Sequence, residues 1–146
     1  MTDLILAVFR VNNQIVAWGD RLVADLGLTS ARWQVLGVIV ASDRPQPVAW
    51  LARDLGGNRQ NVQRIANDLE RQGMVAFQPN PHHRRAQLVV LTDEGRRIYD
   101  AAISLYNPRI NALAGDVSAA DIEAALRVVG ALGRKLESLA EADRPA

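Results

Sequence analysis

The chain has no cysteine, only one lysine, and seven aromatic residues among 146. The absence of cysteine excludes disulfides, thiolate metal sites, cysteine nucleophiles and thiol redox sensing. The longest apolar stretches, 4–9 and 33–41, fall well short of the ~18 residues that a membrane span requires, and no basic segment with a cleavage-like site opens the chain. We therefore expect a cytoplasmic protein that does not contact a membrane.

The motifs that would indicate an enzyme are also missing. The sequence contains no Ser-His-Asp set, no glycine-rich phosphate loop and no H-E-x-x-H motif. His82 and His83 are adjacent, so they do not converge easily on one ion, and the remaining ligands would have to be carboxylates because there is no cysteine and no third histidine. We expect neither catalysis nor a metal or other cofactor.

The net charge of +1 conceals an uneven distribution. Residues 59–85 hold five arginines against two acids, whereas residues 115–146 hold six acids against four cations. Arginine makes bidentate contacts to phosphate and guanine. An arginine-rich genome would give the same bias, so the bias alone leaves nucleic-acid binding open.

Apolar residues recur at three- and four-residue steps along most of the chain, which predicts helices. We expect a long helix ending at Gly27, a second from Thr29 to about Ser42, a turn over 43–47, a short helix over 48–55, and a helix capped by Asn58 and ended by Gly73. Gly56 and Gly57 permit the sharp turn before Asn58. Two helices joined by such a turn are typical of a helix-turn-helix.

The pattern changes after Gly73. Residues 74–78 and 86–91 read as two strands of a hairpin with its tip near 82–85, and Thr92 is placed to cap the next helix. Pro108 should kink or divide that helix. Ser118 and Asp121 resemble a capping box at the start of a last helix.

These elements predict one domain, 1–146, mainly α with a small antiparallel β-hairpin wing (α+β). The winged helix-turn-helix would occupy 29–92, with a recognition helix over 58–72 and a wing over 74–91. The long terminal helices over 1–26 and 93–141 are apolar on one face and exceed what this small unit can cover. We therefore expect them to form a dimerisation region between two copies.

The polar face of the Asn58 helix carries the candidate base-reading residues, which are amides or arginines: Asn58, Arg59, Gln60, Asn61, Gln63 and Arg64. Arginine fits guanine O6 and N7, and asparagine or glutamine fits adenine N6 and N7. A solvated helix face is also polar, but it usually carries Lys and Glu pairs, and no acid occurs from Asn58 through Asn67. We interpret this face as a surface that recognises base edges in double-stranded DNA.

The hairpin tip carries His83, Arg84 and Arg85, which would reach the minor groove or the phosphates in a winged helix. A polar turn is the simpler alternative. Trp18 and Trp33 could line a pocket for an aromatic effector, although aromatic residues at helical spacing more often belong to a core. Trp50 is expected to be partly exposed.

Several strings resemble the MarR family of bacterial transcriptional regulators. The resemblance lies in residues 26–36, 51–55, 58–75 and 84–95, the last being the closest match. It implies a triangular homodimer with interlocked terminal helices that binds a pseudo-palindrome, often as a repressor released by a phenolic or anionic ligand. By motif position, Arg59, Gln60, Asn61, Gln63 and Arg64 match the recognition-helix contacts, and Arg84 matches the wing-tip arginine.

The chain departs from the family pattern at the wing and before the short helix. Asn80 and His83 stand where the family usually has acids, one of which holds the wing arginine, and Pro47 replaces a hydroxyl cap. Our leading hypothesis is sequence-specific duplex binding by a dimer that responds to a small ligand. The alternative is a winged-helix module whose basic face docks an acidic protein.

Overall fold

The structure is a computed structural model, and it describes residues 1–83 and 85–142. Two compact units are present, Met1–Pro108 and Arg109–Ala146. In the described residues the helices are α1 (Thr2–Val23), α2 (Ser30–Ala41), α3 (Val48–Asp54), α4 (Arg59–Arg71), α5 (Asp93–Ala114) and α6 (Ala119–Ala142), and the strands are β1 (Gln46–Pro47), β2 (Val75–Gln78) and β3 (Leu88–Leu91). The chain is thus mostly helical with a small antiparallel sheet, as predicted.

The helix boundaries lie where the sequence signals place them. Gly27 adopts a left-handed conformation, φ 70°, after a 3-10 turn over 24–26. Thr29 caps α2 by accepting a hydrogen bond from the Arg32 amide at 3.3 Å. Pro47 provides no side-chain cap to α3. The first two signals mark the turn after α1 and the start of α2, whereas α3 begins without a side-chain cap.

The sheet has three strands in the order β1-β3-β2, all antiparallel. The hairpin β2–β3 was predicted, with Val75 opposite Leu91 and Gln78 opposite Leu88. The segment 43–47 was predicted to be a turn throughout, and this is wrong at its end, because Gln46 pairs with Val89. Proline lacks an N–H, so Pro47 is tolerated on the edge strand β1.

The core of the first unit lies between α2, α3, α4 and the sheet. Its largest fully buried side chains include Leu36, Leu51, Leu69, Val75 and Val89. These residues come from five different elements, so the core holds α3, α4 and the hairpin in one fixed arrangement. That arrangement leaves the other face of α4 exposed.

Thr92 and Gly95 join the hairpin to α5. The Thr92 hydroxyl donates to the Gly73 carbonyl at 2.6 Å and accepts from the Gly95 amide at 3.0 Å. A Cβ atom at Gly95 would overlap the carbonyl oxygen of Met74. Only glycine allows α5 to begin this close to the chain that enters β2.

The later helices confirm one prediction and modify another. The Ser118 hydroxyl accepts from the Asp121 amide at 3.1 Å, which is the N-cap half of the predicted capping box, and it donates to the Asp121 carboxylate at 2.6 Å. Pro108 does not divide α5, which continues to Ala114. In the first turn of α5, the hydrogen bond from Arg97 lowers the pKa of Glu94 below its ordinary value.

Candidate nucleic-acid interface

The helix α4 begins at a glycine turn and a side-chain cap. Gly56 has φ 62°, which other residues rarely adopt. The Asn58 amide oxygen then accepts hydrogen bonds from the backbone amides of Gln60 and Asn61, at 2.8 and 3.3 Å. Asn58 therefore acts as the cap of α4, a role that the sequence also predicted.

The two faces of α4 differ sharply. Val62, Ile65, Ala66 and Leu69 are buried in the core. The exposed residues of the first three turns are Arg59, Gln60, Asn61, Arg64 and Asn67, with Gln63 half-buried. The candidate reading residues therefore lie together on the side of the helix that the protein does not cover.

Two hydrogen bonds order side chains on this face. Arg64 donates to the Asn61 side-chain oxygen at 2.9 Å, and Gln63 donates to the Asn67 side-chain oxygen at 2.9 Å. Both pairs are one helical turn apart, where side chains meet. Part of the polar face is therefore arranged before any ligand binds.

Asp68 collects three arginines at the far end of this face. Its carboxylate, only 13% exposed, lies 3.5 Å from Arg32 of α2 and 3.6 Å from Arg64, and it also contacts Arg71. The structure makes Asp68 a link between α2 and α4.

The tip of the wing is the turn between β2 and β3. The Asn80 side-chain oxygen accepts from the His82 amide at 3.0 Å, which closes the turn. His82, His83 and Arg85 are exposed. Arg84, the predicted wing-tip contact, lies outside the described residues. Asn80 thus has a local role in the turn, at a position where an acid was expected from the family pattern.

Two further arginines flank an exposed tryptophan near α3. Trp50 is 43% exposed, and the guanidinium carbons of Arg44 and Arg53 lie 5.9 and 5.6 Å from the centre of its ring. Both distances are typical of cation–π contacts. The sequence predicted that Trp50 is exposed, but it did not predict the two arginines beside its ring. Arg44 precedes α3 and contacts the ring only in the folded chain.

A cavity of about 290 Å³ lies between α1, α2 and α5 within the first unit. Trp18 and Trp33 both line it, as the effector hypothesis required, and both ring centres lie close to that of Tyr106, at 5.9 and 5.1 Å. Tyr99 also lines it. Sequence reasoning missed the tyrosines, although their spacing of seven residues on α5 places them on one face.

The described part of the chain shows neither a cluster of metal-ligating residues nor a single helix that could cross a membrane. No group of three or more His, Asp or Glu residues there could hold a metal ion. No single helix in residues 1–83 and 85–142 is long and apolar enough to cross a membrane, although α1 and α2 taken as a bent pair meet the criteria of length and composition.

A model of the MarR family matches residues 26–86, which contain α2, α3, α4 and β2. The chain belongs to the MarR family. It is thus a transcription regulator of a DNA-binding family, and the exposed face of α4 lies within the matched segment. The predicted family and fold class are confirmed.

This MarR-family regulator is similar in sequence to two bacterial proteins over most of its length. An uncharacterized protein of Mycobacterium tuberculosis is 40% identical over 121 residues, which cover 83% of each chain. The transcriptional activatory protein BadR of Rhodopseudomonas palustris is 34% identical over 119 residues, covering 78% of this chain and 65% of BadR.

Solved structures share its winged-helix fold. The repressor CouR bound to a 23-mer DNA duplex superposes with a TM-score of 0.77 at 25% identity, covering 87% of this chain and 89% of CouR. CouR of Rhodococcus jostii bound to p-coumaroyl-CoA gives 0.72 at 20% identity, covering 99% and 96%. BpsR of Bordetella bronchiseptica, whose DNA binding is regulated by 6-hydroxynicotinic acid, gives 0.78 at 18% identity, covering 90% and 98%.

Proposed function

We propose that this MarR-family regulator binds a pseudo-palindromic operator as a homodimer and represses transcription until a small aromatic acid releases it. The observation that carries the DNA-binding part is the exposed face of α4, where guanidinium and amide groups occur without a carboxylate from Arg59 to Asn67. Those groups match the donor and acceptor pattern of base edges in the major groove. Half-sites one helical turn apart, ~10 base pairs, would suit two such helices.

A selection of genomic fragments followed by gel shifts tests DNA binding. We expect the wild-type protein to prefer a fragment with two inverted half-sites over random duplex. Gln60→Ala or Asn61→Ala should relax the preference at one base pair per half-site, at a cost of about 1 to 3 kcal/mol. Binding equally to every fragment, or to none, would instead favour the docking of an acidic protein partner.

The cavity between α1, α2 and α5 is the proposed effector site. Three aromatic rings, Trp18, Trp33 and Tyr106, offer stacking and edge contacts to a flat ligand. Its volume of about 290 Å³ is at the small end of ligand pockets, which favours a single-ring compound. CouR and BpsR, whose fold this chain shares, have p-coumaroyl-CoA and 6-hydroxynicotinic acid as ligands.

The helix α2 provides a route from this cavity to the DNA-binding face. Trp33 lines the cavity, while its neighbour Arg32 reaches Asp68 of α4 at 3.5 Å. A ligand that moves α2 would therefore move α4 or break the ion pair. We propose that the two α4 helices of the dimer then lose the spacing that the two half-sites of the operator require.

Ligand release is tested with a panel of single-ring aromatic acids, including 6-hydroxynicotinic acid. An active compound should raise the Tm of the wild type and release DNA in a gel shift. Trp33→Leu should lose both responses, whereas Trp50→Leu, which removes a tryptophan outside the cavity, should keep the rise in Tm. A flat panel would contradict this class of effector.

The sign of regulation needs a separate measurement, because BadR is an activatory protein whereas CouR is a repressor. In transcription reactions on the selected operator, we expect the wild type to lower transcript yield and the active acid to restore it. A protein-dependent increase in transcript would make the regulator an activator and leave the DNA-binding proposal intact.

A further inference from the structure

A narrow groove of about 100 Å³ separates the start of α3, the helix α4 and the wing. Four polar side chains line it: Arg59 and Gln63 from α4, and Arg85 and Gln87 from the wing. The other lining residues are apolar or proline, and no carboxylate is among them. The groove is therefore rich in hydrogen-bond donors and positive charge.

Arg59 and Gln63 occupy one edge of the α4 face. They are four residues apart, so they lie above one another on the same side of the helix. Gln60, Asn61 and Arg64 do not line the groove. The polar face of α4 thus divides into an edge that faces the wing and a surface that is free to meet base edges.

The arginines of this region also differ in their partners. Arg64 and Arg71 share the carboxylate of Asp68. In residues 1–83 and 85–142, neither Arg59 nor Arg85 forms an ion pair. Two guanidinium groups without a nearby carboxylate attract an oxyanion, because their planar N–H groups match its oxygens.

The amides of the groove can complete such a site. Gln63 uses one side-chain N–H for Asn67, at 2.9 Å, and an amide nitrogen has a second N–H to offer. Gln87 is exposed on the wing side, just before β3. The groove therefore presents donors from α4 and from the wing to one anion.

We propose that this groove binds one phosphodiester group of the DNA backbone in each half-site, held by Arg59 and Arg85 with Gln63 and Gln87. Arg59 and Gln63 then fix the register of α4 and the wing on the duplex, rather than reading bases as the sequence suggested. Gln60, Asn61 and Arg64 carry the base readout. This inference rests on the proposed DNA-binding function.

The test is a scan of the selected operator with single methylphosphonate substitutions, each of which removes the charge of one phosphate. For the wild type, one position per half-site should lower affinity about tenfold, as expected for a charge-assisted contact. For Arg59→Gln and Arg85→Gln, neutralising that same phosphate should cause little further loss. Arg71→Gln is the matched control, and with it the same position should keep its full effect.

Two accompanying measurements sharpen the assignment. Arg59→Gln and Arg85→Gln should weaken binding to all operator variants without changing their order of preference, and each should lower the salt slope by about 0.9 per half-site. Circular dichroism and Tm establish that both variants fold. Arg59→Gln with an altered order of preference would make Arg59 a base reader and overturn the proposal.

The remaining outcomes separate this inference from the function on which it depends. If the wild type prefers an operator but every methylphosphonate effect adds independently to Arg59→Gln and Arg85→Gln, the groove is not a phosphate site and DNA binding stands. If inorganic phosphate shifts the NMR signals of both arginines while no position is coupled, the groove holds a free anion and the DNA contact is wrong. If the wild type prefers no fragment, both proposals fail.

Discussion

At the scale of single residues, Gly95 holds the junction between the hairpin and α5. Because a methyl group there would overlap the Met74 carbonyl and lie 2.9 Å from Leu91, Gly95→Ala must displace the backbone. We expect a loss of about 1 to 3 kcal/mol or more in the free energy of unfolding, measured by urea denaturation. Gly133→Ala is the control: nothing lies within 4 Å of its Cβ, and alanine in a helix should be neutral or stabilising.

Asp68 is the second residue with a large expected effect. It is mostly buried and faces three arginines, so Asp68→Asn weakens one charge-assisted hydrogen bond and two ion pairs and should lower the free energy of unfolding by about 1 to 3 kcal/mol. Asp54→Asn, which affects an exposed contact at 3.7 Å with Arg53, should cost about 0 to 1 kcal/mol. If both variants lost the same free energy of unfolding in urea denaturation, the contacts of Asp68 would stabilise the fold no more than an exposed ion pair does.

At the scale of elements, two substitutions at Asn58, the cap of α4, distinguish an effect on stability from an effect on DNA affinity. Asn58→Ala removes the acceptor of two backbone N–H groups and should cost about 0.5 to 2 kcal/mol of stability. Asn58→Asp keeps a good cap, so its Tm should remain near the wild-type value, but its negative charge beside the proposed DNA surface should weaken binding. A Tm series and gel shifts at fixed salt measure both effects. Wild-type affinity for Asn58→Asp would argue that the start of α4 does not approach DNA.

Most elements could be predicted because their ends carry local signals. Thr29, Asn58 and Ser118 cap helices through contacts within three residues of themselves, so the sequence alone contains the cause. The strand β1 could not be predicted in this way. Gln46 pairs with Val89, 43 residues later, and only the folded core brings those two segments together.

The candidate sites also divide into features set by one local segment and features that need distant segments to meet. The exposed amides and arginines of α4 were predictable because one helix sets their common face. The groove was not, because it needs Arg85 and Gln87 from the wing beside Arg59 of α4. Tyr106 joins Trp18 and Trp33 only when α5 packs against α1 and α2.

At the scale of the whole molecule, the described helices expose many large apolar side chains. In the first unit, α1 exposes Phe9 and Ile15; in the second, α6 exposes Leu126 and Leu136, each of the four more than 50% accessible. Contiguous apolar faces of this kind mark interaction surfaces. The operator proposed above is a pseudo-palindrome and would require two symmetric recognition helices, so we propose a second copy of the chain as the partner that covers these faces.

The prediction is that self-association depends on the apolar face of α6. The double variant Leu126→Glu, Leu136→Glu should sediment as a monomer at micromolar concentration, because two carboxylates would have to be desolvated in the interface. Ser138→Glu, which adds one carboxylate on the opposite side of α6, should remain a dimer. The monomeric variant should lose preference for the full operator over a single half-site, since two linked readers bind far more tightly than one. A wild-type protein that sediments as a monomer while retaining that preference would require dimer formation on DNA only.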